Sequence, residues 1–543
     1  MAARLVPLGG LGEFGANSLL VEGEEEEAFL LDAGAAFSEL DVHGVAYEVP
    51  DFSHLSSPRP TSLVLTHAHD DHAKGATLAA EALSPLKLVA SPGTLARVRR
   101  ALADVGPLPV EEIGGRRALE IGSFTLDGLP VSHSIPGTLA VRVSAAHGAM
   151  VLASDLRLAP SALGETTSVE DLARWGSEGV ELLLLDATNV LVAGDLPFEA
   201  AVASCLGDLV AKARGAVVAV TFASHLGRFV QLARAAIAAG RVVVPVGRGL
   251  EGSLQVHADV GANALPPGSV RPARALASLA REQVVIVATG SQGEPGSGFA
   301  RVASDLLPGF KLAEGDLVVH AARIIPGSER RLNDLFDACV RRGARVVTAN
   351  EAPTHVSGHP PPSELDTLLE LLRPRFVLPV HGRRRHLEAL ASLARRHGCT
   401  AVVVDNGAEV AWAAGSVAVT GRQRGVGRVL YDEAGEGQLD SVVVRCRRSL
   451  ARNGVVVAVL VRRPGASDPP GDPTIQSCGV SLPANLRDVL ASGLGEELRR
   501  AVLGWAQRAG EEELRSTMIR WLRSELRRRL HQRPTVVAMV VER

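Results

Sequence analysis

Ser62-Leu63-Val64-Leu65-Thr66-His67-Ala68-His69-Asp70-Asp71-His72 couples a short apolar run to a burst of metal-capable side chains. The first four residues read as a buried strand, and His67, His69, Asp71 and His72 follow just past its C-terminal end. Open α/β sheets place their sites in that position. A turn there lets His67 and His69 face one metal while Asp71 and His72 face a second. Neutral imidazoles and carboxylates suit Zn²⁺ or Mn²⁺. Three of only 16 histidines within six positions are hard to explain as unrelated residues of a solvated loop. Further donors stand at other strand ends: His133 in Val131-Ser132-His133, Asp155 after a strand over 151–153, and His381 after one over 376–380. With Asp155 bridging, these seven complete two open sites about 3.5–4 Å apart.

Nearer the N-terminus, Gly10-Leu11-Gly12-Glu13-Phe14-Gly15 fits G-x-G-x-x-G, and Asp32 follows a strand further on. A dinucleotide fingerprint needs a helix directly after its third glycine, so that the helix N-terminus meets the pyrophosphate. Here residues 16–21 read as a strand, so the motif predicts no nucleotide site.

Outward from these motifs, the first 190 residues alternate short Val/Leu runs with Gly-rich turns. Strands are expected over 18–21, 28–31, 62–65, 87–90, 140–143 and 151–153, with a helix over 92–102. That pattern suits a layered α/β sandwich. From 191 to 347 longer β–α–β units take over, with a strand over 216–221, a helix over 228–239 and a strand over 241–245. They recur as 316–320, 328–342 and 345–348, which reads as a parallel-sheet insert. Residues 421–439, rich in Gly, Arg and Glu, suggest a linker. Beyond it strands are expected over 441–445, 455–462 and 535–541, with a helical stretch over 495–530. There Leu498, Trp505, Leu514, Trp521 and Leu522 fall at helical spacing.

The 543 residues, 46% hydrophobic and 22% charged, exclude a wholly disordered chain. A net charge of −3 argues against a uniformly basic nucleic-acid coat but leaves room for a local basic groove. Lysine occurs only at Lys74, Lys87, Lys212 and Lys311, so the positive charge is nearly all arginine. Five cysteines without a C-x-x-C pair predict neither a disulfide framework nor a cysteine zinc finger. No signal-like segment opens the chain, and apolar runs fall far short of the ~20 residues of a membrane helix. A soluble, cytoplasmic protein without membrane partners is expected.

H-x-H-x-D-H after a strand, with a downstream His and Asp, resembles the metallo-β-lactamase fold. Leu185-Asp186-Ala187-Thr188-Asn189, Thr289-Gly290-Ser291-Gln292-Gly293-Glu294-Pro295, His355-Val356-Ser357-Gly358-His359 and Pro379-Val380-His381-Gly382 narrow the resemblance to ribonuclease J, in the β-CASP branch. It extends over nearly the whole chain. It implies an α/β architecture: an αββα metallo-β-lactamase sandwich (1–190 and 348–420), an inserted β-CASP parallel-sheet domain (191–347) and a small α/β C-terminal domain (440–543) that assists dimer formation. It also implies His67, His69 and His133 on one metal, and Asp71, His72 and His381 on the other, with Asp155 between. Two zinc ions are implied, with manganese or magnesium as alternatives. His359 resembles the histidine that helps the leaving oxygen depart, Asp186 the carboxylate that holds it, and the 355–359 loop a cradle for the terminal nucleotide phosphate. Ser224 and Arg228, at a strand-to-helix junction, offer further hydroxyl and guanidinium contacts; a solvated helix start is an equally good reading of Arg228. The implied activity is hydrolysis of single-stranded RNA, 5′→3′ from a 5′-monophosphate, with endonucleolytic cuts allowed, by a homodimer or homotetramer.

Ser154 stands before Asp155, and His225 follows Ser224, where the family commonly has Gly and Asn. At 3% aromatics, few rings are on hand to stack bases. Two rival functions are a small-molecule metallo-hydrolase, which has no use for His359 or the insert, and a catalytically weak RNA-binding paralogue, which has no need of seven donors.

Overall fold

The computed structural model describes all residues except 1, 25, 38–43, 116, 260–264, 326, 433–437, 463–472, 481–492, 507–509, 531–532 and 543. Side chains of a few neighbouring positions, Trp505 among them, also lie outside the described set. The chain divides into two compact units, Met1–Ala36 with Val49–Arg428, and Phe37–Glu48 with Val429–Arg543. Each is described by itself.

In the larger unit an eight-stranded sheet is ordered Ser416–Gln423, Ala408–Ala413, Ala2–Gly9, Ser18–Glu22, Ala28–Leu31, Ser62–Leu65, Lys87–Ala90, Val110–Glu112. A seven-stranded sheet is ordered Thr400–Ala401, Phe376–Val380, Leu182–Asp186, Gly148–Ala153, Leu139–Ala145, Phe124–Pro130, Leu119–Ile121. One hydrophobic cluster joins them: Leu5, Phe29 and Val64 of the first share it with Phe124, Val141 and Leu184 of the second. The Phe29 and Phe124 rings meet edge to face at 5.4 Å. Ser62–Leu65 and Leu182–Asp186 are buried along their whole length. Such strands are covered on both faces, which is why they read as unbroken apolar runs rather than alternating ones.

Register brings the donors together. Ala28–Leu31 runs parallel to Ser62–Leu65, and Gly148–Ala153, Leu182–Asp186 and Phe376–Val380 are mutually parallel neighbours. Phe124–Pro130 is related to Gly148–Ala153 through two antiparallel pairings, so it points the same way. The residues at or just past the ends of these strands, Asp32, His67, His133, Asp155, Asp186 and His381, therefore gather at one edge.

A third, five-stranded sheet is parallel throughout: Val242–Val246, Val284–Ala288, Val217–Val220, Leu317–His320, Arg345–Val347. Alternate residues of Val217–Val220 enter two hydrophobic clusters, Val218 and Val220 with Phe299 and Phe336, Val217 and Ala219 with Phe229 and Leu232. The insert expected from its β–α–β pattern is thus covered on both faces. Its helix begins at Leu226 rather than 228, capped by His225, whose side chain accepts from the Arg228 N–H.

In the smaller unit Val455–Arg462 pairs antiparallel with Thr474–Cys478 and parallel with Thr535–Glu542. Two helices, Leu494–Ala506 and Glu511–Leu530, bury Leu498, Leu514 and Leu522 against Val456, Leu460 and Val536. Two expectations change here. Residues 441–445 are not a strand but open the helix Ser441–Asn453. The Asp440 side chain caps that helix through the Val442 N–H at 2.8 Å, which outweighs the β preference of three successive valines. Within the supposed linker, Ser416–Gln423 continues a sheet and Arg428–Tyr431 is a strand; residues 433–437 lie outside the described set. Among the described residues no helix is long and apolar enough to cross a membrane.

Candidate metal centre

His67, His69 and His133 bring one nitrogen each to a common point, and Asp71 brings a carboxylate oxygen to a second, with one nitrogen each from His72 and His381. Asp155 groups with His67 and His72, one from each set. His69 Nδ1 lies 3.0 Å from His67 Nε2 and 3.2 Å from His133 Nε2. His381 Nε2 is 3.1 Å from Asp71 Oδ2, and His72 Nε2 is 3.1 Å from Asp155 Oδ2. All seven candidate donors therefore share one buried cluster.

The outer ring nitrogens show which way the lone pairs face. His133 Nδ1 donates to the Gly358 carbonyl at 2.9 Å, and His72 Nδ1 to Asp32 Oδ2 at 2.8 Å. His381 Nδ1 meets Thr188 Oγ1 at 2.6 Å, whose own proton goes to the His381 carbonyl. His67 Nδ1 meets Thr66 Oγ1, which itself donates to Asp32. With the outer nitrogen protonated, each inner nitrogen offers a lone pair, the usual support for a metal-bound imidazole.

Electrostatics divide the two sets. Burial pushes His67 well below its usual range, His69 to about 3 and His133 to about 4, so these rings are neutral, as ligands must be. For His72 and His381 burial acts in the same sense, but Asp155 and the other nearby carboxylates outweigh it; His381 rises to about 9. Burial works against charge on Asp71 and Asp155, yet His72 and His381 hold both carboxyls below the usual carboxylate range. Asp155 Oδ2 is buried without a well-aligned hydrogen bond. Crowded imidazole lone pairs and an under-bonded carboxylate are what a divalent cation would satisfy, so the residues fit a metal pair.

Beside the cluster, His359 Nδ1 lies 2.7 Å from Asp186 Oδ2 and 3.5 Å from Asp155 Oδ1. Asp186 is fully buried and also accepts from the Thr188 N–H. The 355–359 loop is pinned in place. Asn189 donates to Ser357 Oγ at 3.0 Å and to the His359 carbonyl at 2.9 Å, and Arg157 donates to the Ser357 carbonyl at 2.9 Å. A Cβ on Gly358 would stand 2.7 Å from the His133 ring, so only glycine fits there. Val356 is buried, while Ser357 and Gly358 line a depression of about 290 Å³ together with Ser134, Arg157 and Glu199. His355 is kept neutral by burial and by the nearby Arg228 charge, and its Nδ1 is buried without a partner.

Ser224 sits half-buried in the turn before the helix Leu226–Ala238. Arg228 departs from both readings of the sequence. It is fully buried, and its guanidinium grips Glu199 with contacts of 2.9 and 3.1 Å instead of facing solvent or the cleft. Sequence reasoning missed Asp32, which orients His72 and Thr66, and Thr188, Asn189, Arg157 and Asn17. Asn17 donates to the Asp71 carbonyl and lies 3.0 Å from His72 Nε2. Asp32 does carry a signal, an acid at a strand end, but beside the glycine motif that signal points to a nucleotide rather than to a metal. Asp32 and His381 both adopt positive φ, +62° and +57°. Such backbone is strained for side chains with a Cβ and clusters at functional sites.

Two facing sheets with these donors at their common edge define a metallo-hydrolase, and residues 11–143 match the metallo-beta-lactamase superfamily. Residues 214–339 match the ribonuclease J beta-CASP domain, 343–404 a Zn-dependent metallo-hydrolase RNA specificity domain, and 442–543 the ribonuclease J C-terminal domain. The chain belongs to the ribonuclease J family. It is 32% identical over 560 residues to Ribonuclease J of Mycobacterium tuberculosis, covering 99% of this chain and 97% of that one. It is 31% identical over 548 residues to that of Mycolicibacterium smegmatis, with the same coverage. It is 33% identical over 491 residues to that of Sinorhizobium meliloti, covering 88% and 85%. A solved structure of a protein of unknown function from Enterococcus faecalis V583 shares the fold, with a TM-score of 0.54 at 16% identity over 76% of this chain and 100% of that one.

Proposed function

We propose that the chain is a cytoplasmic, metal-dependent ribonuclease that degrades single-stranded RNA 5′→3′ from a 5′-monophosphate end and can also cut internally. The observation that carries this reading is the convergence of seven donors next to a His359–Asp186 pair. His67, His69 and His133 would hold one zinc ion and Asp71, His72 and His381 the second, with Asp155 between them. Manganese or magnesium could take the same oxygen-bearing positions. Bound there, two divalent cations lower the pKa of water and offset the negative charge of the scissile phosphate. His359, held by Asp186, donates a proton to the leaving oxygen. Ser357 and Gly358, fixed by Asn189 and Arg157, would present hydroxyl and backbone groups to a terminal phosphate, with Ser224 and His355 as further contacts of the same proposal. Assembly as a homodimer or homotetramer is part of the same proposal, and sedimentation of the full chain would measure it.

The test is one RNA sequence prepared with 5′-triphosphate, 5′-monophosphate and 5′-hydroxyl ends, digested with Zn²⁺, Mn²⁺ or Mg²⁺. Ordered mononucleotide release from the monophosphate alone is expected. Equal degradation of all three ends would remove the 5′-end assignment. Turnover of a generic ester with no RNA cleavage would favour the small-molecule hydrolase.

A further inference from the structure

The glycine-rich loop that carries no nucleotide fingerprint has a different architecture of its own. It is tied to the residue after His381: Gly12 N–H donates to the Gly382 carbonyl at 2.9 Å, and Gly382 N–H to that of Gly10 at 3.3 Å. Leu11 N–H donates to Asn406 Oδ1, and Glu13 accepts from Asn406 Nδ2 and from Arg428. Gly10, Gly12 and Gly15 take φ of +87°, +79° and +87°, which lets the loop turn so tightly.

This fastening sets the Phe14 ring at the rim of the donor cluster. The ring stands edge to face with His381 at 6.2 Å and with His386 at 5.2 Å, and Phe14 remains 38% exposed. An apolar ring held rigidly in the open beside buried polar donors gains nothing for the core. Between the two histidines that the ring meets, the chain runs through Arg383, Arg384 and Arg385, all exposed where the helix Arg384–Arg396 begins. Cations in a first helical turn oppose the helix dipole, so this run works against helix stability. Arg384 is engaged by Glu388 and Asp405 at 2.8 and 3.2 Å. Among the described residues Arg385 meets no hydrogen-bond or ion-pair partner.

We propose that Phe14 and Arg385 form a lip that receives single-stranded RNA beside the metal centre. The ring takes the face of a nucleobase and the guanidinium takes a backbone phosphate. The inference rests on the ribonuclease reading and deepens it by naming a substrate subsite. Stacking on an aromatic face tolerates any base, and a neighbouring cation supplies affinity that falls with salt. In a chain with 3% aromatics, one well-placed ring does what many share elsewhere.

The experiment compares a 5′-phosphorylated oligoribonucleotide with a set in which a single abasic nucleotide is moved along the chain. Phe14→Leu is expected to raise KM about tenfold on the full RNA. Phe14→Trp should keep the parental KM. On the oligonucleotide lacking the stacked base, parent and Phe14→Leu should have equal KM. Arg385→Gln should weaken binding alike for all sequences and lower the salt slope by about one. Equal loss for Phe14→Leu on full and abasic RNA would show that the ring only props His381, and no loss on either would show that it does nothing; both overturn the lip. If the parent cuts none of these RNAs, the ribonuclease reading itself falls.

Discussion

Around Asp155 the imidazoles turn their inner nitrogens toward one another and toward its carboxylate, His67 and His133 toward Oδ1 and His72 toward Oδ2, which lacks a well-aligned donor. Around Arg228, at the start of the inserted sheet's helix, the reverse holds. The two terminal nitrogens of the guanidinium pair with the Glu199 carboxylate, to which Gln231 also donates, and the one buried atom left over is a donor, Arg228 Nε. Both regions are buried and rich in charge. The first leaves acceptors that a cation would satisfy, whereas in the second the opposite charges already meet each other. Burial of polar groups therefore does not by itself mark a site; what marks one is acceptors and lone pairs left facing each other.

The contrast can be broken most decisively by removing donors. Asp71→Ala with His72→Ala should reduce RNA cleavage below detection while circular dichroism stays parental, and chelation of the parent should do the same reversibly. A double variant as fast as the parent would show that the first region is not the site. Next, His359→Ala should slow cleavage by about 10²–10⁴-fold with bound metal unchanged, read from single-turnover rates and metal analysis of the same sample. Arg228→Met should cost about 3 kcal/mol in denaturant unfolding, because Glu199 is left without its partner, while the rate per folded molecule is kept. A fall in rate at unchanged stability would instead return Arg228 to the substrate. The smallest effect is expected for Asp32→Asn: about 10- to 100-fold weaker metal binding in a titration, since His72 loses the charged carboxylate that orients it.

Much of the fold and of the donor set is legible in the amino-acid sequence alone. Histidines and aspartates at strand ends stand out because metal chemistry admits few residue types, and the seven donors do meet. Unbroken Val/Leu runs mark the buried strands, and the missing helix after Gly15 disposes of the dinucleotide reading. Other features have no such signature. Arg228 on a sequence looks like any helix-start arginine; only the packing of Glu199–Lys212 beside its helix turns it inward. Asp32, Asn17 and Thr188 act through other residues, and a carboxylate or amide that orients an imidazole carries no spacing rule. Val442-Val443-Val444 points to a strand because the cap at Asp440 is a single local contact set against three β-branched side chains.

The positive φ of Asp32 and His381 has a further consequence. Two strained backbone positions, one after a strand of each sheet, are anchored by the hydrogen-bonded strands that lead into them. The donor geometry is therefore cast in advance, unlike that of a zinc finger, whose ligands assemble only as metal folds the chain. Metal should then be exchangeable without unfolding, so that the same protein can be loaded with one divalent ion, emptied, and reloaded with another.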